Sequence, residues 1–279
     1  MTDAPRSTGV GLVLLGVASA QVGAAFAVKL FDELGPAGAA FGRLGFAALI
    51  LVAIWRPRVR GLTRGALGAA MAFGLALGAM NLCIYEAMDR IPLGVAVTFE
   101  FIGPLGVAVV GSRRALDLLW ALMAAAGIVL LADYGGGSLD TTGVAFALAA
   151  GALWAAYIVL SQRVGTLFGG GSGLAVAMVV GAVLVAPFGI AGAGGELLRP
   201  ELLGALVAVA LACSVLPYSF DLEALRRLPA RVFGVLMSLE PAVAALAGLV
   251  VLGQGLAARD WLAIGLVVVA SAGASTLEA

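Results

Sequence analysis

Apolar residues follow one another in long stretches along nearly the whole chain, and short breaks with charged residues, glycine or proline separate these stretches. A helix needs roughly 20 apolar residues to cross the hydrocarbon core of a bilayer. The pattern therefore predicts an all-α membrane protein with ten transmembrane helices and short loops. The predicted spans are residues 9–29, 36–55, 65–87, 92–111, 116–133, 142–161, 173–191, 202–220, 230–251 and 260–276.

One segment of the first half of the chain returns in the second half. Residues 86–104 (EAMDRIPLGVAVTFEFIGP) and 223–241 (EALRRLPARVFGVLMSLEP) are offset by 137 positions and share six identical residues. Each copy is a polar stretch followed by an apolar run that a proline interrupts. In an apolar chain, this duplication is typical of a transporter whose site lies between two related halves. We expect two five-helix repeats, in residues 1–135 and 141–279.

An odd number of spans in each repeat inserts the second repeat upside down relative to the first, which predicts inverted repeats. The distribution of cations agrees with this topology, because eleven arginines fall on one side of the predicted membrane and four cations on the other. Positive residues favour the cytoplasmic side, so we expect both termini inside. The eleven are Arg6, Arg56, Arg58, Arg60, Arg64, Arg113, Arg114, Arg163, Arg226, Arg227 and Arg231, and the four are Lys29, Arg90, Arg199 and Arg259.

The composition separates this chain from soluble proteins. Charged residues make up 11% of it, against about 25% in a typical soluble domain. Its formal net charge is zero, so no basic face is available for nucleic acid. The first apolar stretch is too long for a typical cleaved signal and is interpreted as a retained span. Cys83 and Cys213 each lie in an apolar run and are interpreted as packing residues, not as a disulfide or metal pair.

The sequence lacks the residue combinations of most membrane enzymes. It has no histidine, which excludes His-ligated metal sites and Ser–His proteases. Its only lysine, Lys29, follows a valine and so does not belong to a phosphate-binding loop. We therefore expect no enzyme, no catalytic residue, no metal and no cofactor, and interpret the protein as one that moves a solute. The aspartates lie near the ends of predicted spans: Asp117, Asp133, Asp140 and Asp221.

Three charged residues fall in the middle of predicted spans, namely Arg43, Glu100 and Glu240. Ionisable groups at this depth are costly unless they are paired or face water, so each is a functional candidate. Glu100 and Glu240 precede Pro104 and Pro241, where a proline frees a backbone carbonyl one turn earlier and lets the helix bend. Each glutamate could contact a substrate amine or carry a coupling proton. The alternatives are a structural ion pair with Arg43 or a protonated, hydrogen-bonded carboxyl group.

Other polar and aromatic residues stand where helices could line a central cavity. Asn81 and Tyr85 share one face of the third predicted span, and Trp154 and Tyr157 share one face of the sixth. Amide and phenol groups suit the charged ends of a zwitterion, and aromatic rings suit its side chain. The alternative for the aromatic pair is core packing or an interfacial belt. The further candidates are Gln21, Thr98, Phe99, Ser214, Tyr218, Phe233 and Ser238.

These residues make the chain recognisable. It resembles the drug/metabolite transporter superfamily in its ten-span form with two EamA-type repeats, and within it the bacterial amino-acid exporters of the threonine/homoserine kind. The LEP and GP turns are common in the superfamily, whereas the FEF–GP and SRR combination is more specific to the exporters. The resemblance runs over essentially the whole chain and rests on IPLGVAV at 91–97, FEF at 99–101, GPLGVAV at 103–109, SRR at 112–114, LPARVFG at 228–234 and MSLEP at 237–241, with Arg43 and Trp154.

The resemblance implies efflux of amino acids across the bacterial inner membrane by alternating access, through a central cavity between the halves. Related exporters prefer threonine and homoserine or broader neutral and aromatic amino acids, so the expected specificity stays broad. Proton coupling and uncoupled facilitation both remain open. The alternatives are an exporter of another small metabolite or drug cation, and a membrane protein that transports nothing. The expected partners are the amino-acid substrate and the lipid bilayer. The oligomeric state is left open and a monomer is compatible with the sequence.

Overall fold

The structure is a computed structural model that describes residues 6–57, 62–111, 115–131, 139–225 and 227–276. Every regular element in these ranges is helical. The predicted SRR motif at 112–114 and several of the arginines used for the topology lie outside the described residues. The α-helices are α1 (Arg6–Val28), α2 (Phe31–Trp55), α3 (Arg64–Met88), α4 (Leu93–Glu100), α5 (Ile102–Gly111), α6 (Ala115–Leu131), α7 (Thr141–Leu167), α8 (Ser172–Ala193), α9 (Pro200–Ala210), α10 (Leu216–Leu225), α11 (Ala230–Met237), α12 (Glu240–Leu252) and α13 (Ala258–Thr276).

Seven stretches of the described residues have the length and hydropathy of a membrane span, which confirms an all-α protein with several membrane-spanning helices. The predicted spans 92–111 and 116–133 contain shorter apolar helices, and the predicted span 260–276 lies within α13. The count of ten spans therefore stays a prediction. The seven are Ser7–Val28, Phe31–Trp55, Arg64–Met88, Thr141–Leu167, Ser172–Leu198, Pro200–Leu225 and Val232–Leu252.

Three of the predicted spans are broken. The run 92–111 divides at Phe101 into α4 and α5, and the run 230–251 divides at Ser238 and Leu239 into α11 and α12. The eighth predicted span consists of α9, a π-helical turn at Leu211–Val215 and α10. Its predicted end at residue 220 is wrong, because α10 continues to Leu225. The polar residue Asp221 does not end the helix, since the apolar pattern resumes directly after it.

The core of the bundle lies where the long helices of the two halves of the chain meet. α2 packs along α8, and α3 packs on both α7 and α8. The α3–α8 contact is close because a Cβ atom on Gly78 would lie 2.7 Å from the Cα of Gly181. A Cβ atom on Gly74 would likewise lie 2.6 Å from the carbonyl oxygen of Ala177. These glycines let the backbones of α3 and α8 touch.

Candidate functional site

Arg43 lies on α2 in the interior of the bundle and is 8% exposed. Its Nε donates to Ser214 Oγ at 3.1 Å, its Nη1 to the Tyr85 hydroxyl at 3.2 Å, and its Nη2 to the Cys213 carbonyl at 3.1 Å. No carboxylate of the described residues lies within 4 Å of the guanidinium. Because a guanidinium has five N–H donors, these three bonds leave two N–H groups without a bond in this set.

The π-helical turn explains how Arg43 is held. Cys213 and Ser214 both belong to the turn Leu211–Val215, and both are buried. A π turn makes i→i+5 bonds, interrupts the regular ladder and is frequent at functional sites. Here it presents one carbonyl and one hydroxyl group to the arginine. Ser214 was among the sequence candidates, whereas the Cys213 carbonyl could not be inferred, since a π turn has no clear sequence signal.

Tyr85 joins Arg43 to the aromatic residues of the bundle. The Tyr85 side chain is fully buried on α3. Its ring centroid lies 5.5 Å from that of Phe31 and 5.4 Å from the Arg43 Cζ atom. The guanidinium therefore contacts the hydroxyl group and lies within cation–π distance of the ring. Tyr85 consequently orients the charged group, in addition to packing in the core.

The two mid-span glutamates are both buried, Glu100 at 7% exposed and Glu240 at 8%. Neither has a cation of the described residues within 4 Å. Arg43 acts electrostatically on Glu100, and Glu100 acts on Glu240. The structure therefore does not form the ion pair with Arg43 that the structural alternative required. It brings one cation and two carboxylates into range of each other without neutralising them directly.

Asp221 on α10 is a member of this set that the sequence reasoning missed. It acts electrostatically on Tyr157, Tyr218 and Glu240. The apolar pattern puts it at the end of a span, but α10 continues past it for one further turn, to Leu225. Its charge in the middle of LPYSFDLEAL was the available signal. Tyr218 connects the set further, since it interacts with Arg43 and with the phenol of Tyr157.

The break between α4 and α5 rests on α7. A Cβ atom on Gly103 would lie 1.9 Å from the Gly151 carbonyl oxygen, and one on Gly151 would lie 2.6 Å from the Glu100 carbonyl oxygen. Pro104 has no N–H group and so leaves that Glu100 carbonyl without its helical donor. On the same face of α7, the ring of Trp154 meets that of Phe101 edge-on at 5.3 Å. The glutamate and the tryptophan are thus placed by one helix contact.

Several candidates use their polar groups within their own helices. The amide of Asn81 donates to the Leu77 carbonyl at 2.8 Å, and the hydroxyl of Thr98 donates to the Gly94 carbonyl at 2.6 Å. Ser238 donates to the Val235 carbonyl at 2.7 Å. Such bonds satisfy the side chain and often accompany bends. Gln21 differs, because its Oε1 is buried and has no hydrogen-bond partner, so a donor from another molecule would stabilise it.

The aromatic candidates do not form one wall. Phe99 belongs to the main core cluster, and Tyr157 packs against it with its ring 5.0 Å from that of Phe73. Phe233 packs instead against a separate cluster of α1, α10 and α11 that includes Val13 and Val17. The rings of Phe99, Trp154 and Tyr157 therefore pack among α3, α4 and α7, whereas Phe233 packs in the separate cluster with α1.

A membrane-embedded bundle with broken helices and a cluster of mid-span charges defines a membrane transport protein rather than an enzyme. Residues 141–276 match the family model of the EamA-like transporter family. The chain is 40% identical to the threonine/homoserine exporter RhtA of Salmonella typhimurium (strain LT2) and 39% identical to that of Escherichia coli (strain K12). Each alignment covers 95% of this chain and 90% of the relative. The chain belongs to the EamA-like transporter family.

A solved crystal structure shares the fold. It superposes with a TM-score of 0.62 and covers 95% of this chain and 96% of its own, at 21% sequence identity. At this identity the likeness concerns the fold alone. The resemblance inferred from the sequence motifs is confirmed at the level of the family, and the relatives are exporters by name, not enzymes.

Proposed function

We propose that this protein exports threonine, homoserine and related neutral amino acids from the cytoplasm across the bacterial inner membrane. The observation that carries the proposal is Arg43, a buried cation held by three hydrogen bonds and without a carboxylate of the described residues within 4 Å. A substrate carboxylate would satisfy its remaining N–H groups as a charge-assisted pair. Glu100 and Glu240, in electrostatic range of each other, would receive the substrate ammonium. The names of the 39–40% identical relatives support the same substrate class.

The remaining contacts would set the shape of the site. Tyr85 and Ser214 hold the guanidinium, and Trp154 and Tyr157 provide aromatic surface for the substrate side chain. The buried Oε1 atom of Gln21 would accept a hydrogen bond from the substrate. Phe99, Tyr218, Asn81, Thr98, Phe233 and Ser238 complete the candidate set from the sequence, and the last four have packing or intrahelical roles here as well.

The transport cycle we propose is alternating access by two inverted five-helix repeats, residues 1–135 and 141–279. The backbone at the two duplicated segments supports it. Pro92 (φ −56°, ψ 143°) and Pro229 (φ −57°, ψ 142°) begin α4 and α11 in the same conformation. Phe101 (φ −66°, ψ −11°) and Ser238 (φ −63°, ψ −10°) end them in the same conformation. Equivalent bends at Pro104 and Pro241 would open one side while the other closes.

The contacts around these segments are also duplicated. Arg90 donates to the backbone carbonyl and the carboxylate of Glu86, and Arg227 does the same to Glu223. A Cβ atom on Gly143 of α7 would meet Arg90 and Ile91, and one on Gly9 of α1 would meet the corresponding Arg227 and Leu228. The first helix of each repeat thus packs on the residues just before the broken span of the other repeat. This reciprocal contact supports a two-fold relation between the repeats.

The order of helix contacts supports the same relation. Exchanging the two repeats turns the α3–α7 contact into the α1–α10 contact, and it turns α3–α8 into the contact of α2 with α9. The contacts α2–α8 and α6–α13 each join equivalent helices, and the contact α4–α12 joins the two equivalent broken spans. We infer ten spans with both termini cytoplasmic. A reporter fused after Ala279 should be active only in its cytoplasmic form, and a periplasmic C-terminus would overturn the inverted-repeat proposal.

The function is tested with purified protein in liposomes preloaded with labelled threonine, homoserine or phenylalanine, with and without a pH gradient. We expect efflux of threonine and homoserine well above that from protein-free liposomes. A second comparison isolates the carboxylate: threonine against 1-amino-2-propanol, its decarboxylated amine. Wild type should prefer threonine, and Arg43→Gln should lose that preference. Equal efflux of acid and amine by wild type would remove Arg43 as the carboxylate-binding group.

One observation favours a second candidate, an exporter of small organic cations. A cation carrier needs an unpaired membrane carboxylate, and neither Glu100 nor Glu240 has a cation of the described residues within 4 Å. The same liposomes preloaded with a labelled quaternary amine decide between the two. Efflux of the quaternary amine that threonine does not inhibit would favour the cation exporter.

A further inference from the structure

A cavity of about 390 Å³ opens at one end of the bundle, and neither Arg43 nor the mid-span glutamates line it. Its wall comes from the end of α1, the start of α2 and the ends of α3 and α12. On the topology proposed above, this is the periplasmic end. The volume lies at the small end of the range for ligand pockets, roughly 300–1,000 Å³. It therefore suits a molecule of the size of an amino acid better than a drug-sized ligand.

The wall carries both signs of charge. Lys29, Asp32 and Asp89 all line the cavity, yet Lys29 forms no ion pair with either aspartate among the described residues. The Lys29 Nζ atom lies 5.7 Å from the centroid of the Phe26 ring, and Asp89 lies 3.9 Å from Arg90 Nη1. The cation and the carboxylates thus share one space without closing on each other.

Another cation at the same end of the bundle, Arg199, does form ion pairs. Arg199 Nη1 lies 2.8 Å from Glu33 and 2.9 Å from Glu196, and none of the three lines the cavity. Arg199 is therefore satisfied by its own neighbours, whereas Lys29 is held apart from the two aspartates of its own cavity. A ligand with one anionic and one cationic group would bridge these separated charges.

The cavity adjoins the central cluster through two aromatic residues. Phe31 lines the cavity and packs on Tyr85, with the ring centroids 5.5 Å apart. Tyr85 in turn accepts the hydrogen bond from Arg43. The Phe31–Tyr85 pair consequently lies between the cavity and Arg43.

We propose that this cavity is a second binding site for a zwitterion, which the exported amino acid occupies after it leaves Arg43. Lys29 binds the α-carboxylate, and Asp32 and Asp89 bind the α-ammonium group. Gln254, also in the wall, stays bound to the backbone N–H of Leu93 and fixes the start of α4. The inference rests on the proposed export of amino acids. The head group of phosphatidylethanolamine has the same pair of charges, so the experiment includes both sources.

The experiment measures exchange in right-side-out membrane vesicles that contain the full chain, with labelled threonine inside and unlabelled threonine outside. Lys29→Gln should raise the external concentration for half-maximal exchange about five- to tenfold, roughly 1–1.4 kcal/mol, and leave the internal value within about twofold. Asp32→Asn should act in the same direction. Arg199→Gln is the matched control, because it removes an exposed cation at the same end, and it should change neither value.

Three results overturn the inference. One is an external half-saturation value that Lys29→Gln and Asp32→Asn leave unchanged while wild type exchanges threonine. A second is an equal shift on both sides, which assigns Lys29 to the whole cycle. The third concerns lipid: if threonine binding to wild type in nanodiscs weakens when phosphatidylethanolamine replaces phosphatidylglycerol, and binding to Lys29→Gln does not, the head group is the occupant.

The proposed function fails separately. A wild type that exports and exchanges no amino acid overturns it, whatever the variants do. The cavity is then tested by threonine binding to the purified protein, which Lys29→Gln must weaken and Arg199→Gln must not. Threonine binding that neither variant affects, or no binding at all, overturns the second site as well. Thermal unfolding of each variant is measured in parallel to show that it is folded.

Discussion

The duplicated segments 86–104 and 223–241 have nearly the same backbone but place their carboxylates differently. Glu100 is the last residue of α4, whereas Glu240 is the first residue of α12. The C-terminal end of a helix carries partial negative charge and the N-terminal end partial positive charge. The dipole of α12 thus favours an anionic Glu240, whereas the dipole of α4 disfavours an anionic Glu100. Although both glutamates precede a proline, they are not equivalent.

This difference assigns separate roles to the two residues. Glu240 has a favourable environment from its own helix, as expected of a group that helps to begin α12. Glu100 has none from α4 and depends on a charge from elsewhere: Arg43, a substrate ammonium or a proton. The segments also differ in what covers the break, since Phe101 meets the ring of Trp154, while the corresponding position holds the small residue Ser238. Substrate-dependent contacts are therefore expected mainly at the first segment.

The largest effect should come from the contact that holds the first break on α7. In Gly103→Ala the new Cβ atom would lie 1.9 Å from the Gly151 carbonyl oxygen, a backbone atom that cannot rotate away. Overpacking of this kind costs about 1–3 kcal/mol and occasionally more. We expect loss of folded protein or a large fall in the thermal unfolding midpoint in detergent. Gly106→Ala on the same helix has open space and should behave as wild type.

Equal unfolding midpoints for these two alanine variants would show that the break is not fixed by α7. The comparison between the segments would then lose its structural basis at the first segment. The second segment does not have this constraint, because the position that corresponds to Gly103 is occupied by Glu240, which already has a Cβ atom.

The next effect concerns the two carboxylates. Glu100→Gln should reduce threonine efflux about tenfold or more, since a missing counter-charge of about 1.4 kcal/mol corresponds to a factor of ten. It should not lower stability, because the helix dipole does not favour this charge. Glu240→Gln should lower the free energy of unfolding by about 0.3–1 kcal/mol, the usual contribution of a carboxylate at a helix N-terminus, and should affect efflux less.

The measurements are efflux from liposomes with and without a pH gradient, and chemical unfolding of the purified variants. If Glu100 carries a proton, Glu100→Gln should also remove any dependence on the gradient while exchange continues. A Glu100→Gln variant that is less stable but transports normally would make Glu100 a structural residue and reverse the assignment of the two glutamates.

An intermediate effect is expected for Trp154, whose ring packs on Phe101 at the break between α4 and α5. Trp154→Ala removes the edge-on contact with Phe101 and aromatic surface from the proposed site. The loss for a bulky substrate side chain is on the order of 1 kcal/mol, several-fold in affinity, with little change for threonine. Competition of threonine and phenylalanine for efflux measures the ratio. An equal loss for both, together with reduced expression, would make Trp154 a packing residue.

The sequence was sufficient for the class of fold but not for the geometry of the site. Ten apolar runs, the paired prolines and the duplicated segments could be read directly, because helix length and backbone breaks follow from local composition. The partners of Arg43 could not, since the Cys213 carbonyl becomes available through a π turn that depends on packing. The end of the span at Asp221 is wrong because a single polar residue does not end a helix, and α10 continues for four residues beyond it. The separation of Phe233 from Phe99 depends on tertiary packing in the same way.

The smallest effect should come from the two ion pairs at the start of the duplicated segments. Glu86→Gln and Glu223→Gln each remove an i,i+4 ion pair with an arginine, Arg90 or Arg227. Exposed helical pairs of this kind contribute about 0.2–0.5 kcal/mol. Because the two loops have equivalent contacts, we expect small and similar losses of stability by chemical unfolding, which 1 M salt should reduce. If one of the two variants alone loses well above 1 kcal/mol of unfolding free energy, the two ion pairs are not equivalent. The two-fold relation would then not extend to these contacts.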